Sequence, residues 1–330
     1  MGKNVHLHLI LCLLTAISSA VQVGAGEPRR VLEYAPAPLD NPLKGLAPYQ
    51  SDVRAFFPHS MEFFYLPYSA LVKGYEEFDW KPLETMLDAI ARRGHQAILR
   101  VFLEYPGKEG VVPDFLVKDG LSVTTWRQDE TQPLPIATIH TPNYEDERLR
   151  KSLKNFIAAL GKKYDGDPRI GFITAGLLGV WGEWHTHPKS EPFARKAVQR
   201  EVMDAYEAAF RITPVLLRSP VGERSAKESN ADRKFGYHDD SFAWATLDTG
   251  KKGDEWFYMS ALKAAGPNAE AKWKTRPIGG EIRPEAWGEV FDTTPKNQSI
   301  QNFRRCVEAT HSTWLMDSGM FQKRQTAERF

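Results

Sequence analysis

The chain has 330 residues, 42% hydrophobic and 26% charged, with a formal net charge of +1. This is the balance of a globular protein with a full apolar core, and without a Lys/Arg excess it excludes a nucleic-acid partner held by a basic surface. Cys12 and Cys306 are the two cysteines, which excludes a disulfide-stapled scaffold.

The first 26 residues have the pattern of a secretory signal. Lys3 gives a basic start, Leu7 to Ile17 an apolar run, and Ser18-Ser19-Ala20 or Val23-Gly24-Ala25 a small-residue cleavage site. The run is too short to cross a bilayer, so the expectation is an exported protein with no membrane span once the signal is removed. Cleavage would remove Cys12 and leave Cys306 as a buried thiol in an amphipathic helix. Residues 27–40, rich in Pro and Ala, form a lead-in, and 41–330 a single domain.

Strand-like and helix-like segments then alternate. The expected strands are Gly45 to Tyr49, Met61 to Tyr68, Gln96 to Glu104, Ile170 to Leu178, Pro214 to Arg218, Phe235 to Tyr237, Pro277 to Glu281 and Thr313 to Met316. Helices are expected over Trp80 to Arg93, Asp146 to Tyr164, Glu191 to Phe210, Trp256 to Ala265 and Asn297 to Thr310. Residues 119–143, with Pro133, Pro135 and Pro142, form a long polar loop of the kind that carries function. Short apolar strands alternating with helices imply a parallel sheet covered on both faces, and eight such units suit a closed (β/α)8 TIM barrel. A doubly wound open sheet is the alternative, although no Gly-x-Gly-x-x-Gly follows the first strand. After the eighth strand the segment Gln322 to Phe330 only begins a helix, so the last helix of the barrel is expected to be truncated.

Barrel enzymes carry their chemistry at the C-terminal strand ends. Here those ends offer Tyr49, Tyr68, Glu104, Glu183 with His185, Arg218, His238 to Asp240, Glu281 with Arg283, and Asp317. The stretch Ile170 to Pro188 is the most distinctive, since an apolar strand runs into Trp181, Glu183, Trp184, His185 and His187. Indole faces bind sugar rings, and a carboxyl among them can keep a proton for acid work. Strands four and seven face each other across the mouth of such a barrel, so Glu183 and Glu281 can flank one glycosidic bond. Roughly 5–5.5 Å between them implies retention and roughly 6.5–9.5 Å inversion. Glu183 among indoles suits the acid, and Glu281 near Arg283 the ionised nucleophile.

The arrangement resembles the clan A glycoside hydrolases, whose acid/base and nucleophile are glutamates after strands four and seven. A narrower set of segments resembles the exported bacterial barrel proteins called domain of unknown function 4832. They are Asn41-Pro42-Leu43-Lys44-Gly45, Asp167-Pro168-Arg169-Ile170, Gly179-Val180-Trp181-Gly182-Glu183-Trp184, Gly236-Tyr237-His238-Asp239-Asp240-Ser241 and Gly279-Gly280-Glu281. The resemblance implies a barrel acting on a poly- or oligosaccharide with retention, catalysed by Glu183 and Glu281 and needing no cofactor. Clan A enzymes place a sugar-binding Asn before the acid/base, and Gly182 stands there instead.

Supporting roles are expected around this pair. Trp181, Trp184 and Trp314 would form a sugar platform, with Trp314 alternatively in the core. His185, Tyr49, His238, Asp239, Arg283 and Asp317 would contact substrate, and Asp240 is interchangeable with Asp239 in this role. Arg100 and Glu104 would either contact substrate or form a buried ion pair. Two other classes stay open. One is a barrel that binds carbohydrate without cleaving it. The other is a metal-dependent hydrolase in which His185, His187, His238 and Asp317 share an ion, although barrel metallohydrolases normally carry such ligands on other strands.

Overall fold

The computed structural model of the chain describes residues 41–52, 57–127, 137–218 and 230–322. The expected signal and lead-in segments, and the final helix beyond Gln322, lie outside the described residues.

In chain order the elements begin with β1 (Gly45–Ala47), β2 (Met61–Pro67), α1 (Tyr68–Leu71), α2 (Lys81–Ala91), β3 (Gln96–Phe102) and α3 (Asp114–Lys118). Next come β4 (Val123–Arg127), β5 (Thr138–Pro142), α4 (Glu147–Tyr164), β6 (Ile170–Thr174), α5 (Lys196–Ala209), β7 (Val215–Arg218) and β8 (Gly236–Phe242). The last are α6 (Tyr258–Ala265), α7 (Pro267–Glu270), β9 (Ile278–Ile282), α8 (Phe303–Thr310) and β10 (Trp314–Met316). Local signals set the helix ends. Asp146 caps α4 by accepting from the Arg148 N–H at 2.9 Å, and Asn302 caps α8 through the Arg305 N–H at 3.0 Å. His311, in the left-handed conformation at φ 53°, ends α8.

Eight strands pair in parallel in the order β1, β10, β9, β8, β7, β6, β3, β2. A parallel bridge between Tyr49 and Phe63 closes the sheet, with the Phe63 N–H donating to the Pro48 carbonyl at 2.8 Å. The fold is a (β/α)8 TIM barrel. Among the described residues no α-helix separates β1 from β2 or β7 from β8.

Strand alternation divides the apolar side chains between two cores. Phe63, Ile98, Phe172, Leu216 and Trp314 belong to the cluster inside the barrel. Phe64, Leu66, Leu99, Val101 and Ile173 face outward into the cluster formed with α2, α4 and α5. The Trp314 indole stacks on Phe172, with centroids 5.6 Å apart at 28°. This large ring fits because Gly279 opposite it has no Cβ; one added there would overlap the indole.

Several expectations are corrected. The polar loop over 119–143 contains an antiparallel hairpin, β4 with β5. The sixth barrel strand is seven residues long and reaches Phe242, which carries His238 and Asp240 within it. Barrel strand four stops at Thr174, and Glu281 lies inside its strand instead of after it. Cys306, by contrast, is fully buried in α8 as expected, and burial pushes its thiol up to about 12. No helix among the described residues is long and apolar enough to cross a membrane.

Gly279→Ala must therefore displace the Trp314 ring. Thermal or urea unfolding is expected to show a loss of about 1–3 kcal/mol, as for overpacked cores. An unchanged midpoint would mean the interior accommodates the methyl group.

Candidate active site

The barrel interior is layered. Phe63, Ile98, Phe172, Gly279 and Trp314 make one layer, joined by the registers Phe63 with Ile98, Ile98 with Phe172, and Gly279 with Trp314. Two residues further along each strand the same face presents Tyr65, Arg100, Thr174 and Glu281. The register pairs Tyr65 with Arg100 and Arg100 with Thr174. On β8, His238 sits over the Trp314 ring at 5.2 Å, and Asp240 follows on the same face. A polar layer thus rests on an aromatic floor at the C-terminal end of the barrel.

Arg100 lies at its centre, 2% exposed. Its guanidinium donates to Asp240 Oδ1 at 2.6 Å, Thr174 Oγ1 at 2.9 Å, Tyr65 OH at 3.3 Å and Glu183 Oε1 at 3.4 Å. His238 Nδ1 lies 2.9 Å from Asp240 Oδ1, and Arg218 Nε 3.4 Å from Asp240 Oδ2. Glu281 accepts from Tyr49 OH at 3.0 Å and Tyr65 OH at 3.2 Å. Tyr65 thereby relays Arg100's polarity to Glu281.

Glu183 is delivered by a loop of unusual backbone. Leu177, Trp181 and Trp184 have φ of 71°, 56° and 59°, with Gly179 and Gly182 also positive. Bulky residues rarely adopt this region, and the loop is held there by its own hydrogen bonds. Leu177 N–H donates to the Val101 carbonyl, Trp181 N–H to Glu104, Val180 N–H to His185 and Trp184 N–H to Leu178. The turn at Gly182 is packed so closely that an added Cβ would lie 3.0 Å from Gly176 Cα and 3.3 Å from the Val101 carbonyl oxygen. A side chain at this position would crowd the Gly176 backbone, which must give by a few tenths of an ångström. His185 completes the surroundings of Glu183. Its Nδ1 accepts from the His187 N–H at 3.1 Å, which leaves the proton on Nε2 to donate to Glu183 Oε2 at 3.3 Å.

Glu183, Asp240 and Glu281 each bring a carboxylate oxygen within 4.8 Å of the others. Burial raises Glu183 to about 8, with Asp240 adding to the rise and Arg100 opposing it. Burial raises Glu281 to about 8 as well; Arg100 opposes, and the charges of Glu183 and Asp240 add. Burial would also raise Asp240, but Arg100 and then His238 hold it well below the usual carboxylate range. Burial depresses His185 and His238. Among these three acids Arg100 supplies a cation to Asp240 and Glu183. The set His185, His187, His238 and Asp317 does not gather around one point among the described residues.

The other expected contacts separate into those near the pair and those turned away. Trp184 is 2% exposed, and its indole N–H donates to the Ala175 carbonyl at 2.6 Å, so it packs in the outer core instead of forming a platform. Trp314 is the floor beneath the polar layer. Trp181 is part-exposed beside His185, with centroids 6.1 Å apart, and packs on the Trp126, Ile139 and Val180 cluster of the hairpin. Asp239 points out of the barrel and accepts from Thr246 Oγ1 at 2.7 Å. Asp317 is buried and caps the turn at Gly319 and Met320. Arg283 pairs with Glu285 at 2.9 Å, over the Trp244 ring, and makes no ion pair with Glu281. Arg100 and Glu104 do not pair. Glu104 accepts from Thr141 Oγ1 and from Tyr144 OH at 2.5 Å, which ties β5 to the barrel. Tyr68 lies outside the site, its hydroxyl 2.8 Å from Ser152 Oγ.

Thr174 and Tyr105 were not singled out from sequence. The alternation of β6 placed Thr174 inward beside Phe172. Tyr105, whose hydroxyl is raised by burial and by the charges of Glu281 and Glu183, directly follows Glu104.

Among the described residues no cation pairs with Glu104, and burial raises it from 4.5 to about 7. The folded chain then holds a proton that the unfolded chain has lost, so stability falls as pH rises from about 4.5 to about 7 and levels off above. The contribution is on the order of 3 kcal/mol. Asp239, raised to about 7, and Asp317, raised to about 6, act in the same direction. Denaturant titrations at pH 5 and pH 8 are expected to show this loss, and Glu104→Gln should shrink it. An undiminished slope in the variant would remove Glu104 from the account.

No protein-family model matches the chain, and no curated protein matches it. Solved structures do. The endo-glycoceramidase II of Rhodococcus sp. in its iminocyclitol complex aligns with a TM-score of 0.45 and 13% identity over 78% of this chain and 64% of that one. The Pseudomonas stutzeri endoglucanase Cel5A aligns with a TM-score of 0.39 and 12% identity over 78% and 72%. Thermotoga maritima Cel5A with a mannotriose substrate aligns with a TM-score of 0.41 and 11% identity over 80% and 79%. The chain spans 64% of the length of the glycoceramidase it is similar to.

Proposed function

We propose that the protein is a retaining glycoside hydrolase acting on a poly- or oligosaccharide, exported, and belonging to the barrel family its motifs resemble. The observation that carries the reading is the pair Glu183 and Glu281, with oxygens within 4.8 Å of each other at the barrel mouth. Carboxylates whose oxygens approach this closely suit direct attack by one of them.

The hydrogen bonds divide the roles. Burial raises both glutamates to about 8, and the two tyrosine hydroxyls donating to Glu281 favour its ionised form over that of Glu183, so we assign Glu281 as the nucleophile. Glu183 has only the longer contacts from Arg100 and His185, and keeps the proton. Glu281 attacks the anomeric carbon as the C–O bond breaks, and the leaving oxygen takes the Glu183 proton. Water then displaces Glu281 from the glycosyl ester and gives its proton back to Glu183. Asp240, held ionised by Arg100, fixes the guanidinium that polarises Tyr65 and Glu183.

A carbohydrate-binding barrel without hydrolysis is the second reading. Gly182 favours it, because it offers no side chain where the sugar-binding Asn is expected, and the turn is tightly packed there.

The test is a glycan-panel assay with reducing-end detection. Wild type is expected to turn over at least one substrate class, and Glu183→Gln and Glu281→Gln each to lose about 10²–10⁴-fold or more. The pH profile should fall on its alkaline side near pH 8 as Glu183 loses its proton. Full turnover in both variants would reject the pair as catalytic. Binding by wild type without turnover of any glycan would establish the second reading.

A further inference from the structure

Away from the barrel mouth, His59, Glu62 and His95 each bring a ligand atom within 4.8 Å of the others. The sheet fixes their places. Glu62 lies near the start of β2, between Met61 and Phe63 of the interior cluster, so its side chain faces out of the barrel. His95 immediately precedes β3, whose first residue, Gln96, donates its N–H to the Ser60 carbonyl at 2.9 Å. His59 precedes Ser60. The three residues thus meet where the lead into β2 and the lead into β3 run side by side.

The chemistry of the set is that of a ligand shell. His59 Nδ1 lies 2.9 Å from the Phe57 carbonyl oxygen and must carry the proton there, which leaves Nε2 with a lone pair. Nε2 is buried and has no hydrogen-bond partner among the described residues. The Phe321 ring stands edge-on to His59, with centroids 4.9 Å apart. The His59 and His95 rings lie 4.2 Å apart at 52°. Glu62 is fully buried and takes the Arg93 guanidinium on both oxygens, Oε1 from Nε at 2.8 Å and Oε2 from Nη2 at 2.5 Å, while His95 Nδ1 lies 2.6 Å from Oε1. A neutral imidazole with a buried lone pair, a second imidazole and an ionised carboxylate is the donor set of a zinc-class ion.

We propose that His59, Glu62 and His95 form a structural site for a divalent transition metal of the zinc class, which clamps the entry to β2 against the entry to β3. Bonds of about 2.0–2.2 Å place neighbouring tetrahedral ligand atoms roughly 3.3 Å apart. His95 Nδ1 and Glu62 Oε1 therefore separate by less than an ångström as the ion replaces the proton between them. Arg93 stays on both oxygens of Glu62, so Oε1 would share its lone pairs between Arg93 Nε and the ion, and the guanidinium orients the carboxylate as outer partners of metal ligands do. The site is separate from Glu183 and Glu281 and takes no part in their chemistry, and it departs from the sequence-based expectation of no metal.

The test is zinc binding by the full chain after dialysis against a chelator, read as bound zinc per chain and as melting temperature. Wild type is expected to bind one zinc and melt at a higher temperature with it. His59→Ala and His95→Gln should each weaken zinc binding at least about 100-fold. Glu183→Gln with Glu281→Gln should bind zinc as wild type does. Absence of bound zinc in wild type, which needs no variant to read, overturns the proposal. Wild-type affinity in His59→Ala, or loss of zinc in the Glu183/Glu281 double variant, overturns it equally.

Discussion

The guanidinium of Arg100 is the constraint on which the barrel mouth depends. Three carboxylates with oxygens within 4.8 Å of one another repel strongly in a medium of low dielectric. Arg100 sets Asp240 apart from the two glutamates, which burial raises alike. It neutralises Asp240 at 2.6 Å and touches Glu183 only at 3.4 Å. Through Tyr65 it also favours a charged Glu281. Removing one member of such a buried cluster leaves the others uncompensated, which costs more than the net worth of the interaction. The aromatic floor serves the same end, since Trp314 and Phe172 keep the guanidinium in a dry layer.

A second constraint is the backbone from Leu177 to His185. The loop turns Glu183 toward the mouth only by holding Leu177, Trp181 and Trp184 at positive φ. Its rigidity is borrowed from the hairpin, because Glu104 joins Thr141 and Tyr144 on one side and its carbonyl accepts from Trp181 on the other. The segment that lengthens the connection after β3 is therefore a buttress for the site. Gly182 is part of the same arrangement, occupying a place where a side chain would crowd Gly176.

The strands were legible because an apolar run buried on both faces is hard to mistake, and eight of them imply closure. Glu183 and Glu281 were legible as strand-four and strand-seven residues, which the barrel brings together. Partner choice was not. Period two tells that Arg100 faces inward, but the ion that meets it depends on the heights of β3 and β8 in the barrel, which selects Asp240 over Glu104. Trp184 was misplaced for a local reason, since its positive φ turns the indole into the outer core. Asp239 and Asp240 were interchangeable in sequence, and strand alternation alone separates them, once β8 is known to extend through both.

The central claim is that Glu281 attacks the sugar. Its most direct measurement is mass spectrometry of the protein after incubation with a panel of 2-deoxy-2-fluoroglycosides carrying good leaving groups. The account predicts a single glycosyl adduct on the peptide containing Glu281. An adduct on another carboxylate, or an unmodified chain under conditions where glycan is being hydrolysed, would contradict it.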